Sequence, residues 1–359
     1  MKKSLLAIAV FGVFAGAASA QTNVTIYGVA DAGIRYRDNG ASTNSKTWGL
    51  DSGLQSGSRI GFKGSEDLGG GLSALFTLET GFNIDDGSLG QGIAASASTP
   101  ALTRLFGRQA FVGLSGGFGA IKLGRQYAPI RVALESIDPF GLGGAGNAAN
   151  VFNVHGERTD NTLNYTTANI GGFSGQLAYS FGEIAGDNSA GRQIGVSGGY
   201  ANGPLNIVVA YHKQNLLGGG TATAFPATPA GDAKTTMLGG TYDFGVAKLH
   251  AAYSRSKGES AAGVTNLDRD DAMIGVSAPV GAGTILASYI LRRDDIAGTG
   301  GTSRDANQIA LGYLHNLSKR TNLYAMYART TNDAGATLNG AASAGADPST
   351  FMVGVRHRF

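Results

Sequence analysis

Apolar and polar residues alternate with a period of two along most of this chain. In VTIYGVADAGIRYR, Val24, Ile26, Ala30, Ala32 and Ile34 share one face, while Thr25, Tyr27, Asp31, Gly33 and Arg35 share the other. Successive side chains of a strand point to opposite sides, so the pattern predicts a strand with two different neighbours. It recurs far along the chain. Leu205, Ile207, Val209 and Tyr211 oppose Asn206, Val208, Ala210 and His212; Leu249, Ala251 and Tyr253 oppose Lys248, His250 and Ser254; Ile309, Leu311 and Tyr313 oppose Gln308, Ala310 and Gly312. The last segment, FMVGVRHRF, alternates in the same way and ends on Phe359.

A soluble sandwich alternates too, so the connections decide between architectures. Short ones fall at 66–71, 115–119, 168–172, 201–204, 243–246, 279–283 and 316–320. Long polar ones lie near 39–55, 83–104, 127–157, 182–191, 213–234, 255–269, 292–303 and 331–348. Alternating short and long connections predict short turns at one rim of an up-and-down barrel and surface loops at the other. The expected fold class is therefore all-β: a transmembrane antiparallel up-and-down β-barrel of 16 strands. The terminal strand has to pair with the first, since an open edge cannot stand in lipid. A barrel of this size encloses water, which suits the Ser, Thr, Asn and Gln of the second face. Tyr179, Phe181, Tyr200, Tyr211, Tyr242, Phe244, Tyr253, Tyr289 and Tyr313 recur near strand ends and would form interfacial girdles.

The third long connection, Tyr127 to Glu157, is too long for an ordinary turn, and such loops are commonly functional. It carries Arg131, Glu135, Asp138 and a Pro139-Phe140-Gly141 corner ahead of a Gly-rich tail. It is expected to fold inward and narrow the lumen.

Composition adds a destination. Lys2 and Lys3, an apolar run from Leu5 to Phe14 and the small residues Ala18-Ser19-Ala20 read as a cleaved signal peptide over 1–20, leaving one domain over 21–359. Loss of the two lysines lowers the formal charge from +3 to +1, so bulk charge says little about partners; no nucleic acid is expected among them. After Ala20 no apolar run approaches the ~20 residues of a membrane helix. Glycine, at 58 of 359 residues, suits bends and crowded sheets. With no cysteine, thiolate chemistry is excluded. The five histidines stand in different segments without a partner motif, and DRDD at 268–271 lacks the spacing of a calcium loop and reads as a wet surface loop. The tract at 87–101 lacks a P-loop lysine. No enzyme activity, catalytic residue, metal site or cofactor is expected.

Seven landmarks in order, NVTIYGVADAG, SRIGFKGSEDLGGGLSALFTLETGF, GRQAFVGLSGGFGAIKLGRQY, DPFG, NTLNYTT, GYLHNLSKRTNLYAMYA and VGVRHRF, resemble the general diffusion porins of Gram-negative outer membranes, most closely the β-proteobacterial type of Burkholderiales and Neisseria. The resemblance spans the whole chain after Ala20. It implies a homotrimer in the outer membrane, in contact with lipid and lipopolysaccharide, with a water-filled channel for passive diffusion of ions and small hydrophilic solutes. It also implies that the strand ending at Phe359 is read by the barrel assembly machinery, and that the third loop faces a ladder of basic wall residues.

The family pattern carries the basic wall onto Arg59, Arg108 and Arg158. Parity independently turns Arg59 and Lys63 away from Ile60 and Phe62, and sets Arg158 on the face of Thr162 and Asn164. Arg35 and Lys63 complete the basic set, and Glu135 and Asp138 form the acidic side on the loop. A guanidinium facing lipid near the midplane would cost ~2 to 4 kcal/mol, which favours the lumen. Guanidinium groups stay charged when crowded, so a weak to moderate preference for anions is expected.

Overall fold

A computed structural model of the chain describes residues 23–91, 103–215, 231–260 and 262–359. The expected signal peptide lies outside the described residues, as do most of the 87–101 tract and much of the 213–234 loop. Among the described residues there are seventeen strand segments: β1 Asn23–Asp38, β2 Lys46–Ser52, β3 Arg59–Gly69, β4 Leu72–Gly81, β5 Gln109–Gly116 and β6 Gly119–Tyr127 come first. After helix α1, Pro129–Glu135, come β7 Arg158–Thr166, β8 Phe173–Ser180, β9 Gln193–Asn202, β10 Leu205–Gln214, β11 Gly231–Asp243 and β12 Lys248–Ser260. The series ends with β13 Thr265–Val280, β14 Gly283–Asp294, β15 Ala306–Asn316, β16 Thr321–Asn332 and β17 Ser349–Arg358.

Apart from β2 and β3, which both pair with β1, consecutive strands pair antiparallel, and β17 returns to β1 from Val29↔Arg358 to Asp38↔Ser349. Gly28 and Phe359 finish the seam, Gly28 N–H donating to Phe359 O at 3.0 Å and Phe359 N–H to Gly28 O at 3.2 Å. The barrel is closed. Seventeen segments make sixteen staves because β2 and β3 are one stave in two pieces. The upper half of β1 pairs with β2 and the lower half with β3. Between them, residues 53–58 bow out of the ladder and Asp31 holds them. Its carboxylate accepts from the N–H of Gln55 (2.9 Å), the N–H of Ser56 (2.6 Å) and the Tyr324 hydroxyl (2.6 Å), and its carbonyl accepts from Gly53 N–H at 2.7 Å.

The seven short turns fall where the sequence places them. Two long connections differ. The stretch expected as a loop at 39–55 contains β2, and the one at 255–269 is mostly ladder, since β12 runs to Ser260 and β13 begins at Thr265. DRDD therefore lies on β13 rather than in a wet loop. Parity sends Asp271 inward to Arg292 (2.8 Å), while Asp268 and Asp270 bond Arg255 on β12. Charged pairs across the ladder sustain a strand that hydropathy alone does not extend.

A strand's two faces cannot exchange without a register slip, and the faces separate as the period predicts. Val24, Ile26, Val209, Leu238, Ile274 and Ile309 are exposed on the outside, whereas Asn164, His212, Asp271 and Gln308 are buried inside. Of the aromatic residues expected at strand ends, Phe181, Tyr242, Phe244, Tyr253, Tyr289 and Tyr313 are exposed, while Tyr179, Tyr200 and Tyr211 are half-buried. No helix among the described residues is long and apolar enough to cross a membrane.

Candidate functional site

Residues 128–157 close at their base, where Ala128 N–H donates to Glu157 O at 2.9 Å. Helix α1 starts with Pro129 in its first turn, where the missing N–H has no helical partner to lose. Ile130, Leu134 and Ile137 recur at helical spacing and are fully buried. Together with Val151 and Phe152 they pack on Ala210, Met237, Ala252, Met273 and Ile290, the inward-facing residues of β10 to β14. His250 on β12 donates to Ile137 O at 2.9 Å. The loop's apolar side thus lies on one inner wall, leaving its polar side toward the opposite one.

The expected corner follows. Gly141 has φ of 60°, the left-handed region that favours glycine. Phe140 enters a second apolar cluster with Leu286, Ala310, Tyr324, Met326 and Met352. Asp138 organises this turn and is placed differently from the expectation, being buried within the loop. Its carboxylate accepts from the N–H groups of Phe140 (3.2 Å), Leu142 (2.8 Å) and Ala148 (3.2 Å). Burial pushes its pKa up to about 6, against the pull of those three bonds.

Facing the loop's polar side is a cavity of about 980 Å³, lined from β1 through β10 and by the loop itself. Residues from so many staves around one space can meet only inside the barrel. In its lining, Tyr127 carries two guanidinium groups against its ring, with Arg131 at 4.2 Å and Arg158 at 4.6 Å from the ring centroid. The Tyr127 hydroxyl also accepts from Arg108 Nη2 (2.7 Å) and Arg158 Nη2 (3.2 Å). Stacking and hydrogen bonding let like charges gather where simple proximity would repel them.

Beneath them Glu79 is only 4% exposed. It accepts from Arg108 Nε and from the Tyr27 hydroxyl, both at 2.8 Å, with Arg59 Nε at 3.9 Å. Arg131 pairs with Glu135 one helical turn on, and Arg158 with Glu157 at 3.2 Å. Asp160 takes Arg104 at 2.9 Å and Arg125 at 2.5 Å. Arg59, Lys63, Arg104, Arg108, Arg125, Arg131, Arg158 and Arg358 line the cavity against Glu79, Glu135, Glu157 and Asp160. The excess is cationic.

The structure thus brings together Arg59, Arg108, Arg158, Lys63 and Glu135 of the expected set. Lys63 is at the edge, its ammonium 5.2 Å from the Tyr27 ring. Arg35 lies elsewhere, paired with Asp51 at 3.0 Å in a separate cavity of about 460 Å³ shared with Arg37 and Asp85. Pro139, Phe140 and Gly141 form the loop corner, and Phe359 closes the seam. Tyr127, Glu157, Arg104 and Asp160 carry no signal in the alternation, because they sit near strand ends or in loops, and Arg125 within β6 reads from sequence only as a lumen-facing or rim charge. Glu79 reads from sequence only as a lumen or rim charge; the β3–β4 register, pairing Gly61 with Glu79 and Arg59 with Gly81, is what sets it beside Arg59.

Comparisons with known proteins agree with this architecture. The model of the Gram-negative porin family matches residues 5–335. The chain is 37% identical to outer membrane porin protein 32 of Delftia acidovorans and 36% identical to an outer membrane porin of Bordetella pertussis, each over all of both chains. Among solved structures, the anion-selective porin from Comamonas acidovorans superposes with a TM-score of 0.78 at 33% identity, over 94% of this chain and all of that one. The trimer form of OmpT from Vibrio cholerae reaches 0.63 at 16% identity, over 94% and 99%, and shares the fold.

Proposed function

This chain belongs to the Gram-negative porin family and is a passive outer-membrane channel rather than an enzyme, and we propose that its permeation path narrows between the 128–157 loop and the basic wall. Arg59, Arg108 and Arg158 supply the positive side of the narrowing and Lys63 its approach. Glu135 supplies the acidic side with Glu157, in place of the buried Asp138. Arg35 acts on solutes in the neighbouring cavity. A transverse field of this kind orients dipolar solutes and favours anions in a narrow, wet passage.

The observation that carries this reading is the packing of Arg108, Arg131 and Arg158 around one tyrosine. The similar porin from Comamonas is anion-selective, which supports a preference for anions here as well. The Vibrio trimer form supports a homotrimer. Contact with lipid and lipopolysaccharide, removal of residues 1–20 and recognition of the strand ending at Phe359 by the barrel assembly machinery belong to the same proposal.

The test is the reversal potential of the purified protein in a planar bilayer under a salt gradient. Wild type is expected to prefer chloride, and Arg59→Ala/Arg108→Ala to lose that preference. A conducting double variant with unchanged selectivity refutes the site. Folded wild-type protein that does not conduct refutes the diffusion channel.

A further inference from the structure

The loop's apolar side meets the far wall at four glycines, one on every second stave. A β-carbon built on Gly195 of β9 would stand 2.8 Å from Pro129 Cδ, and one on Gly275 of β13 would stand 2.7 Å from Pro139 Cγ. On Gly312 of β15 it would stand 3.0 Å from Phe140 Cε1, and on Gly239 of β11 it would overlap Ile137 Cδ1. Four loop side chains therefore occupy the space that four wall side chains would otherwise fill. The positions between them carry real side chains, Ala210, Ala252 and Ile290 on β10, β12 and β14, which pack on the same loop.

From this we infer that Gly195, Gly239, Gly275 and Gly312 are positioning residues for solute size: their missing side chains set how deeply the loop sinks into the wall, and so how much of the lumen stays open. The inference rests on the proposed narrowing between loop and basic wall. Packed carbon atoms prefer separations of about 3.5 to 4 Å, so one methyl group at Gly275 or Gly312 demands a shift of roughly 1 Å. The wall is tied into a closed ladder on both sides. The loop is tied at its base, along its seat and at one point of the 53–58 segment, where Gly144 N–H donates to Leu54 O at 2.8 Å, and between these it faces the cavity. It is the loop that yields, toward Arg59 and Arg108.

The test uses the full-length protein in liposomes, comparing swelling rates in arabinose, sucrose and raffinose. Gly275→Ala and Gly312→Ala are expected to reduce the raffinose-to-arabinose ratio at least twofold, more so together. Gly198→Ala on β9, whose added carbon would find its nearest neighbour at 3.9 Å, is expected to leave the ratio unchanged. Ile137→Val removes the atom seated over Gly239 and is expected to raise the ratio, which keeps the inference testable should an alanine variant fail to assemble. Ratios unchanged in Ile137→Val and in whichever alanine variants assemble overturn it. If wild-type vesicles admit no sugar, the diffusion-channel reading fails instead; if they admit sugar and only these ratios stay fixed, the glycine seat alone is wrong.

Discussion

Glu79→Gln isolates the electrostatics of the narrowing from its shape. Glutamine keeps an oxygen to accept from Arg108 Nε and an amide near the Tyr27 hydroxyl, the two groups that Glu79 bonds at 2.8 Å. What changes is one unit of negative charge beneath Arg59 and Arg108. A unit charge acting at about 8 Å through water-like permittivity shifts an ion by ~0.5 kcal/mol, and salt near 0.1 M cuts that to about half. An anion gains what a cation loses, so the permeability ratio is expected to rise about 2- to 6-fold toward chloride. The buried Arg108 also loses an ionic partner, and a hydrogen bond to a charged group contributes about 1.5 to 3 kcal/mol. It retains the Tyr127 hydroxyl at 2.7 Å, so a lower melting temperature with an intact barrel is expected. The assay is the reversal potential under a salt gradient, with folding checked by heat-modifiable electrophoretic mobility. An intact variant whose selectivity equals wild type refutes the assignment of Glu79 as the charge that offsets the arginines.

Two further outcomes follow from the loop. Asp138→Ala strips an acceptor from three amides, each costing about 1 to 3 kcal/mol if left buried and unpaired, so the loop is expected to loosen; increased open-channel noise and new protease cleavage within 136–148 would show it, and a quiet, resistant channel would count against it. His155 stacks on His212 at 4.5 Å, bonds Thr235 at 2.9 Å and is held well below the ordinary 6.5 by burial, with His212 and Arg269 adding to the effect. The released loop takes up a proton that the seated loop resists, so this contribution to seating is complete above 6.5 and is lost as pH falls below it; acidification is expected to bring on gating that His155→Gln shifts or removes, and an identical acid onset in that variant would refute the link.

The alternation of Val24, Ile26 and Ile34 with Tyr27, Asp31 and Arg35 is enough for the strands, their inner and outer faces and the closure through Phe359, because a period of two is a local property of the chain. The same locality explains Arg59 and Arg158, which parity turns inward, whereas Arg108, one residue ahead of β5, rests on the family resemblance. It also explains the misreadings. Paired charges such as Arg255 with Asp270 look like a loop when their cross-strand partner is out of view, and β2 hides inside a polar stretch.

Asp138 has the composition of a pore carboxylate, and only the turn of the loop shows it bonded to three backbone amides instead. Apart from Arg131 beside Tyr127, Glu79, Tyr127 and the glycines under the loop acquire their roles from residues 19 to 172 positions away, through register across staves and the path of one long connection. The barrel, its two faces and the sign of its inner charge are written in the local pattern of residues. Which charges meet, which are neutralised and how far the loop intrudes are settled only once the chain has closed on itself, since they depend on distances between segments that no local periodicity encodes.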